Sequence, residues 1–181
     1  MYHIKNDKRV FKSAQLICNG LADILQTSPY EVISISDVCS SAGISRATFY
    51  RLFDTLDDVL LYQFDNLFDQ AIRKYKEINT VKITYSKLIL NLAVSNKTLI
   101  TAILKSGRYD IFYFSTRKKE KELIEPLNMQ LSTKELLYCT PLLNQILFSV
   151  LHIWLENGCK EDSEQLYAFL KRELKIISEY I

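Results

Sequence analysis

Glycine and proline are scarce, four and three residues respectively in a chain of 181. Together they make up about 4%, where roughly 12% is usual. These residues build the tight turns of hairpins and sandwiches and the phosphate-cradling loops of nucleotide sites. Their scarcity argues against an all-β fold, a Gly-rich nucleotide-binding fold and a disordered linker, and favours a few long helices. Histidine is scarcer still, with only His3 and His152, and the cysteines Cys18, Cys39, Cys139 and Cys159 form no CxxC pair. No zinc-ligand spacing arises, so neither a metal nor a cofactor is expected. The cysteines read as reduced, core-type residues of a cytoplasmic protein. Charge of one sign is also lacking. The formal net charge is +2, and no global basic field points to nucleic acid or membrane. Residues 1–9 hold no apolar run of the signal-peptide kind. A Gly-rich phosphate loop and a local Cys–His pair are absent, and the paired acids lie on surface stretches, so no enzymatic activity is expected.

One long uncharged run stands out. Leu136 to Leu155 carries no formal charge and has roughly the twenty-residue length of a membrane span. It contains Thr140, Pro141, Asn144, Gln145, Ser149 and His152, and acids, Glu135 and Glu156, flank it on both sides. The expectation is a buried helix, in a core or a subunit interface, and not a membrane span.

What is present is helical. Val10, Ala14, Ile17, Leu21, Ile24 and Leu25 make an apolar stripe that Thr27-Ser28-Pro29 ends. Ser34 is a candidate N-cap for a short helix carrying Ile35, Val38 and Ala42, which Gly43 stops. Ser45 is placed to cap a third helix ending near Phe53. A long fourth helix starts at Asp54 or Thr55, with its stripe at Leu60, Phe64, Leu67, Phe68, Ala71 and Tyr75. Further helices are expected over Ile83–Val94, from an Asn96 cap to Lys105 with Gly107 ending it, and over Asp110–Glu125 up to Pro126. The basic cluster Arg117, Lys118, Lys119 and Lys121 reads as a solvated face. Ser132 with Glu135 fits a capping box, Pro141 kinks or ends the helix that follows, and Gly158 closes it. Asp162 with Gln165 caps a last helix to about Ser178. The count is nine or ten helices in an all-α fold.

The segment from Ser34 to Phe53 reads as helix, Ala-Gly turn, helix. Gly43 takes a left-handed turn without a Cβ penalty. Ile44 buries the turn, and Phe49 and Phe53 face the core. Arg46, Ala47, Thr48, Tyr50 and Arg51 then project outward as short, polar and cationic groups suited to base edges and phosphates.

This stretch resembles the DNA-binding domain of the tetracycline-repressor (TetR) family of bacterial transcription regulators. Tyr30, Ser34-Ile35, Asp37-Val38, Ala42-Gly43-Ile44-Ser45, Thr48-Phe49-Tyr50 and Phe53 stand at the family's spacing, within a likeness running from Val10 to Leu60. The resemblance implies a helix-turn-helix DNA-binding domain over residues 1–54 and an effector-binding and dimerisation domain over residues 55–181. It implies DNA contacts from Ser34, Ser45, Arg46, Ala47, Thr48, Tyr50 and Arg51. It also implies an effector pocket for a small apolar molecule, with Tyr62, Phe68, Tyr85, Phe112 and Phe148 as candidate lining. The last two helices would pair across a two-fold axis, with Leu143, Ile146, Leu147, Val150, Trp154, Tyr167, Leu170 and Leu174 as candidate interface residues. The partners expected are then a pseudo-palindromic double-stranded operator, a second copy in a homodimer and the effector, with repression as the family's usual output. Leu56 stands where the family usually has a phosphate-touching Lys, and Asp54, Asp57 and Asp58 surround it. Residues 1–53 carry six Lys and Arg against four acids, a thin basic footprint. Those departures motivate a second reading, a scaffold acting mainly through a protein partner.

Overall fold

A computed structural model describes residues 2–4, 7–77, 84–118 and 132–180. Among the described residues there are nine α-helices and no strand. They are α1 Lys8–Leu25, α2 Ile35–Ala42, α3 Arg46–Leu52, α4 Leu56–Glu77, α5 Tyr85–Ser95, α6 Lys97–Lys105, α7 Tyr109–Lys118, α8 Thr133–Glu156 and α9 Ser163–Ser178. A 3-10 turn, Tyr30–Val32, lies between α1 and α2. The all-α expectation holds. Lys119, Lys121 and Pro126 lie outside the described residues.

Local chemistry sets most helix ends. Capping boxes pair Ser34 with Asp37, Ser132 with Glu135 and Asp162 with Gln165. A fourth reciprocal cap opens α4: the Asp58 carboxylate accepts from the Thr55 backbone N–H at 3.0 Å, and the Thr55 hydroxyl accepts from the Asp58 N–H at 3.3 Å. Helices α2, α6 and α8 end in the same paired bonds, from Gly43 and Ile44, Gly107 and Arg108, and Gly158 and Cys159. Each pair satisfies carbonyls that the last helical turn leaves open. Asn96 differs from expectation. Its side chain donates to the Leu92 carbonyl at 2.9 Å, closing α5 rather than opening α6. Pro141 neither stops nor splits α8, which runs continuously through it.

The contacts group into two compact units. The first comprises residues 1–67 and 98–111, and the second residues 68–97 and 112–181. The first buries Ile17, Leu21, Val38, Phe49, Leu52, Phe53, Leu60 and Phe64, joined by Ile100 and Ile103 of α6. The second buries Phe68, Leu90, Phe112, Leu147, Leu151 and Leu170. Helices α4 and α7 each begin in the first unit and end in the second.

Gly20 sits inside α1 for a packing reason. A Cβ there would lie 2.9 Å from the Ala42 backbone N and 3.1 Å from the Val38 carbonyl O. Only hydrogen lets α1 and α2 approach this closely.

One expectation needs correction, and for two more the core alternative falls away. Cys139 is exposed and Cys159 is half-buried, so only Cys18 and Cys39 are core residues, although all four are free thiols. His152 is exposed and lies 3.4 Å from Glu156, one turn on, because it falls on the outer side of α8. The uncharged helix α8 is not enclosed by this chain. It is long and apolar enough to cross a membrane, yet only 28% of its apolar window is buried. Its outer side mixes Leu142 and Ile153 with Gln145, Ser149 and His152. Such a mixture suits a protein surface better than hydrocarbon.

Candidate nucleic-acid interface

Helices α2 and α3 place the candidate site. Gly43 stands at φ 63°, left-handed backbone that disfavours any residue with a Cβ. Its N–H and that of Ile44 bond the Ser40 and Cys39 carbonyls at 3.3 and 3.0 Å, which turns the chain sharply out of α2. Ser45 then opens α3. Its hydroxyl accepts from the Thr48 N–H at 3.2 Å and lies 3.0 Å from the Thr48 hydroxyl. Phe49 and Leu52 anchor the inner face of this seven-residue helix.

The outer face carries the expected side chains. Ser45, Arg46, Ala47, Tyr50 and Arg51 are exposed, and Thr48 is half-buried. The Arg46 guanidinium reaches the Tyr50 hydroxyl at 3.5 Å, one turn along the same face. Tyr50 meets Phe49 edge-on, with ring centroids 5.7 Å apart. Arg51 lies in the last turn of α3. Ser34 is exposed but engaged locally. Its hydroxyl donates to Asp37 at 2.6 Å and accepts from the Asp37 N–H at 3.2 Å. The Ser34 hydroxyl, and then the Ser34 backbone N–H at 2.9 Å, donate to the Asp37 carboxylate and hold that carboxyl below its ordinary range. Lys8, Arg9 and Lys12 are exposed along the start of α1.

The acids around Leu56 each face a partner inside the first unit. The Tyr30 hydroxyl donates to Asp57 at 2.6 Å, and Arg108, from the α6–α7 connection, pairs with Asp57 as well. Arg108 also grips Asp110 with two bonds of 2.8 and 2.7 Å. That bidentate pair, ahead of burial, holds the Asp110 carboxyl low. Burial, then the bond to Asp57, pushes the Tyr30 hydroxyl far above the usual tyrosine range and keeps it a neutral donor. Asp58 is spent on the α4 cap, and Asp54 lies 3.1 Å from the His3 ring. Periodicity carries no trace of these pairings, which join residues 27 and 51 positions apart.

In the second unit, Tyr85, Phe112 and Phe148 come together around a buried polar chain. The Tyr85 hydroxyl donates to Asn144 Oδ1 at 2.5 Å, Asn144 donates to the Thr116 hydroxyl at 2.9 Å, and Thr116 donates to the Phe112 carbonyl at 2.8 Å. Phe112 meets Phe148 edge-on at 4.4 Å. Phe68 is buried in this unit too. Tyr62 is not gathered with them. It belongs to the first unit, where it packs against Tyr2 and Phe53.

The expected interface residues divide in two. Leu147, Trp154 and Leu170 are core residues of the single chain, and Trp154 donates its ring N–H to the Glu161 carbonyl at 3.0 Å. Leu143, Ile146, Val150, Tyr167 and Leu174 are half-buried. Exposed apolar residues of α8 and α9 include Leu142, Ile153, Phe169, Ile176 and Ile177. Apolar residues crowd α8, and only the helically spaced Gln145, Ser149, His152 and Glu156 mark its outward side.

No family model matches the chain. One curated relative is the HTH-type dhaKLM operon transcriptional activator DhaS of Lactococcus lactis subsp. lactis (strain IL1403). It is 33% identical over 67 residues, 37% of this chain. The matched stretch spans about a third of that relative's length, 36%. Among solved structures, Lin0861 from Listeria innocua superposes with a TM-score of 0.73 at 19% identity, covering 97% of this chain and 96% of its own. The dihydroxyacetone kinase operon activator DhaS superposes with a TM-score of 0.57 at 18% identity, covering 91% and 97%. At these identities the superpositions establish the helical fold.

Proposed function

We propose that the chain is a cytoplasmic, dimeric, sequence-specific DNA-binding transcriptional regulator of the TetR type. The carrying observation is α3, a short helix capped by Ser45 whose outward face offers Arg46, Ala47, Tyr50 and Arg51. In this reading α3 enters the major groove. Arg46, Thr48 and Arg51 address base edges or phosphates, and Tyr50 reaches a phosphate. Ser34 and Ser45 act mainly by fixing the helix N-termini nearest the DNA. The local likeness to a protein described as a transcriptional activator supports the regulatory class.

The dimer forms through the outer faces of α8 and α9. Leu142, Ile153, Phe169, Ile176 and Ile177 are each at least 42% exposed, and two-fold pairing would cover them. The two α3 helices then meet half-sites roughly 34–36 Å apart, or a multiple of that, on a pseudo-palindrome. A small apolar effector bound among Phe68, Tyr85, Phe112 and Phe148 would bias α4, whose two ends belong to different units, and release the DNA. Release on binding makes the chain a repressor. The DhaS likeness favours activation as the other output, and a promoter fusion assayed with and without the gene separates the two.

The second reading, action through a protein partner without DNA, rests on Leu56 and the neighbouring acids. The pairing of Asp54, Asp57 and Asp58 within the chain weakens it, because each carboxylate already holds a partner there and Asp57 faces the Arg108 cation. A salt titration on mixed-sequence duplex DNA is the test. A steep fall of affinity with salt supports the regulator. The absence of binding at low salt supports the partner reading.

A further inference from the structure

Tyr2 and His3, ahead of α1, lie against the end of the proposed reading helix and the elements that follow it. The His3 backbone N–H donates to the carbonyl of Leu52, the last residue of α3, at 2.8 Å. That carbonyl is one of those a helix leaves unsatisfied at its C-terminus. The His3 ring lies 3.1 Å from Asp54 in the turn between α3 and α4. The Tyr2 ring meets Tyr62 of α4 edge-on, with centroids 5.2 Å apart, and its hydroxyl donates to Asp65 of α4 at 2.7 Å. Tyr62 in turn packs on Phe53 at 5.7 Å. Two successive residues thus engage the end of α3, the turn and α4. Burial, then the bond to Asp65, pushes the Tyr2 hydroxyl well above the ordinary tyrosine range, so it remains a donor throughout the working pH.

Helix α3 needs such support. It has seven residues, and only Phe49 and Leu52 are buried. A two-turn helix has little intrinsic stability and takes its orientation from tertiary contacts. The exposed His3–Asp54 pair contributes little by itself. The backbone bond and the two contacts of Tyr2 are the stronger ties.

We infer that Tyr2 and His3 are positioning residues, a strap that pins the C-terminal end of α3 to α4 and presets its outward side chains for the groove. This rests on the DNA-binding reading above. It differs from the other use of an N-terminal segment, an arm laid directly on DNA. The Tyr2 ring and hydroxyl are turned onto α4. Their contribution is the ordering of α3 before binding, which otherwise counts against affinity.

The test uses the full chain and three variants, Tyr2→Phe, His3→Ala and the double change Tyr2→Ala with His3→Ala. Hydrogen exchange on the free protein comes first. In the double variant the amides of residues 50–53 exchange faster, while those of α1 and α2 keep their protection. Tyr2→Phe, which loses only the hydroxyl, shows a smaller increase. Unchanged exchange at residues 50–53 in all three variants overturns the strap, whatever the DNA result. Affinity is then measured on a duplex recovered from a random library by the wild-type chain, and on mixed-sequence DNA. The double variant loses about tenfold in affinity for the recovered duplex, with mixed-sequence affinity and salt slope unchanged. A lower salt slope marks lost phosphate contacts and replaces the strap with an arm. Equal losses on both DNAs reduce the contact to general stability and also overturn the proposal. Failure of the wild type to bind any duplex refutes the DNA-binding reading, and the exchange result still decides the strap.

Discussion

Replacing Gly20 by alanine sets two well-characterised effects against each other. Alanine in a helix interior is favoured over glycine by about 1 kcal/mol. Position 20 lies inside α1, so propensity alone predicts a more stable protein. The packing predicts the reverse. The new Cβ would stand 2.9 Å from the Ala42 N, 3.0 Å from the Ala42 Cβ and 3.1 Å from the Val38 O. Two of these three are backbone atoms of α2, which no rotamer change can withdraw. Helix α2 must therefore move as a body, and overpacking of this kind costs about 1–3 kcal/mol. Backbone contact places the cost in the upper part of that range, so Gly20→Ala is expected to destabilise by about 1–2 kcal/mol net. Urea unfolding followed by far-UV circular dichroism measures it. The exposed neighbour Asn19 is the control, and Asn19→Ala should stay within about 0.5 kcal/mol of wild type. A Gly20→Ala protein as stable as wild type, or more so, would refute the close approach of α1 and α2. Because α2 carries the turn into α3, the same variant should also bind DNA more weakly.

Other outcomes follow from the same contacts. Arg51→Ala should weaken specific DNA binding by about 1–3 kcal/mol if the guanidinium reads a base, and unchanged affinity on the recovered duplex removes it from the contact set. Asn144→Ala breaks the bonds to Tyr85 and Thr116 inside the second unit. It should cost about 1–3 kcal/mol, seen as a lower urea midpoint; an unchanged midpoint would show that the network adds nothing. The carboxyls of Asp37, Asp110 and Glu135 are all held low, chiefly by hydrogen bonds from Ser34, Arg108 and Ser132. The unfolded chain then binds more protons than the folded one in acid. Stability from these groups is complete above about pH 4.5 and is lost as pH falls through their lowered values. Urea midpoints at pH 7 and pH 3 should show the drop, and equal midpoints would contradict it.

What the sequence disclosed was short-range. Ser34 with Asp37, Ser132 with Glu135 and Asp162 with Gln165 are caps whose partners lie three residues apart, so their chemistry can be read along the chain. Gly43 was legible for the same reason, and so was the outward face of α3, because Phe49 fixes the inner one. Long-range pairings were not legible. Nothing in the spacing of Tyr30, Asp57 and Arg108 brings them together, and nothing near Tyr2 points to Asp65. The face of α8 failed differently. Apolar residues crowd it, and its core side, marked by Leu147, Leu151 and Trp154, differs from the Leu142 and Ile153 side in sequence only by the spaced Gln145, Ser149 and His152. Cys139 was misassigned on that account. The 3-10 turn at Tyr30–Val32 was missed because three residues leave no periodic signal.

Selection from a random duplex library by the full chain decides whether α3 reads DNA. A pseudo-palindrome should be enriched, with half-site centres about one helical turn or a multiple apart. Its enrichment should disappear when Arg46 and Arg51 are both changed to alanine. A library that emerges unenriched, or one that enriches equally with the double variant, would contradict the assignment of α3 as the reading helix.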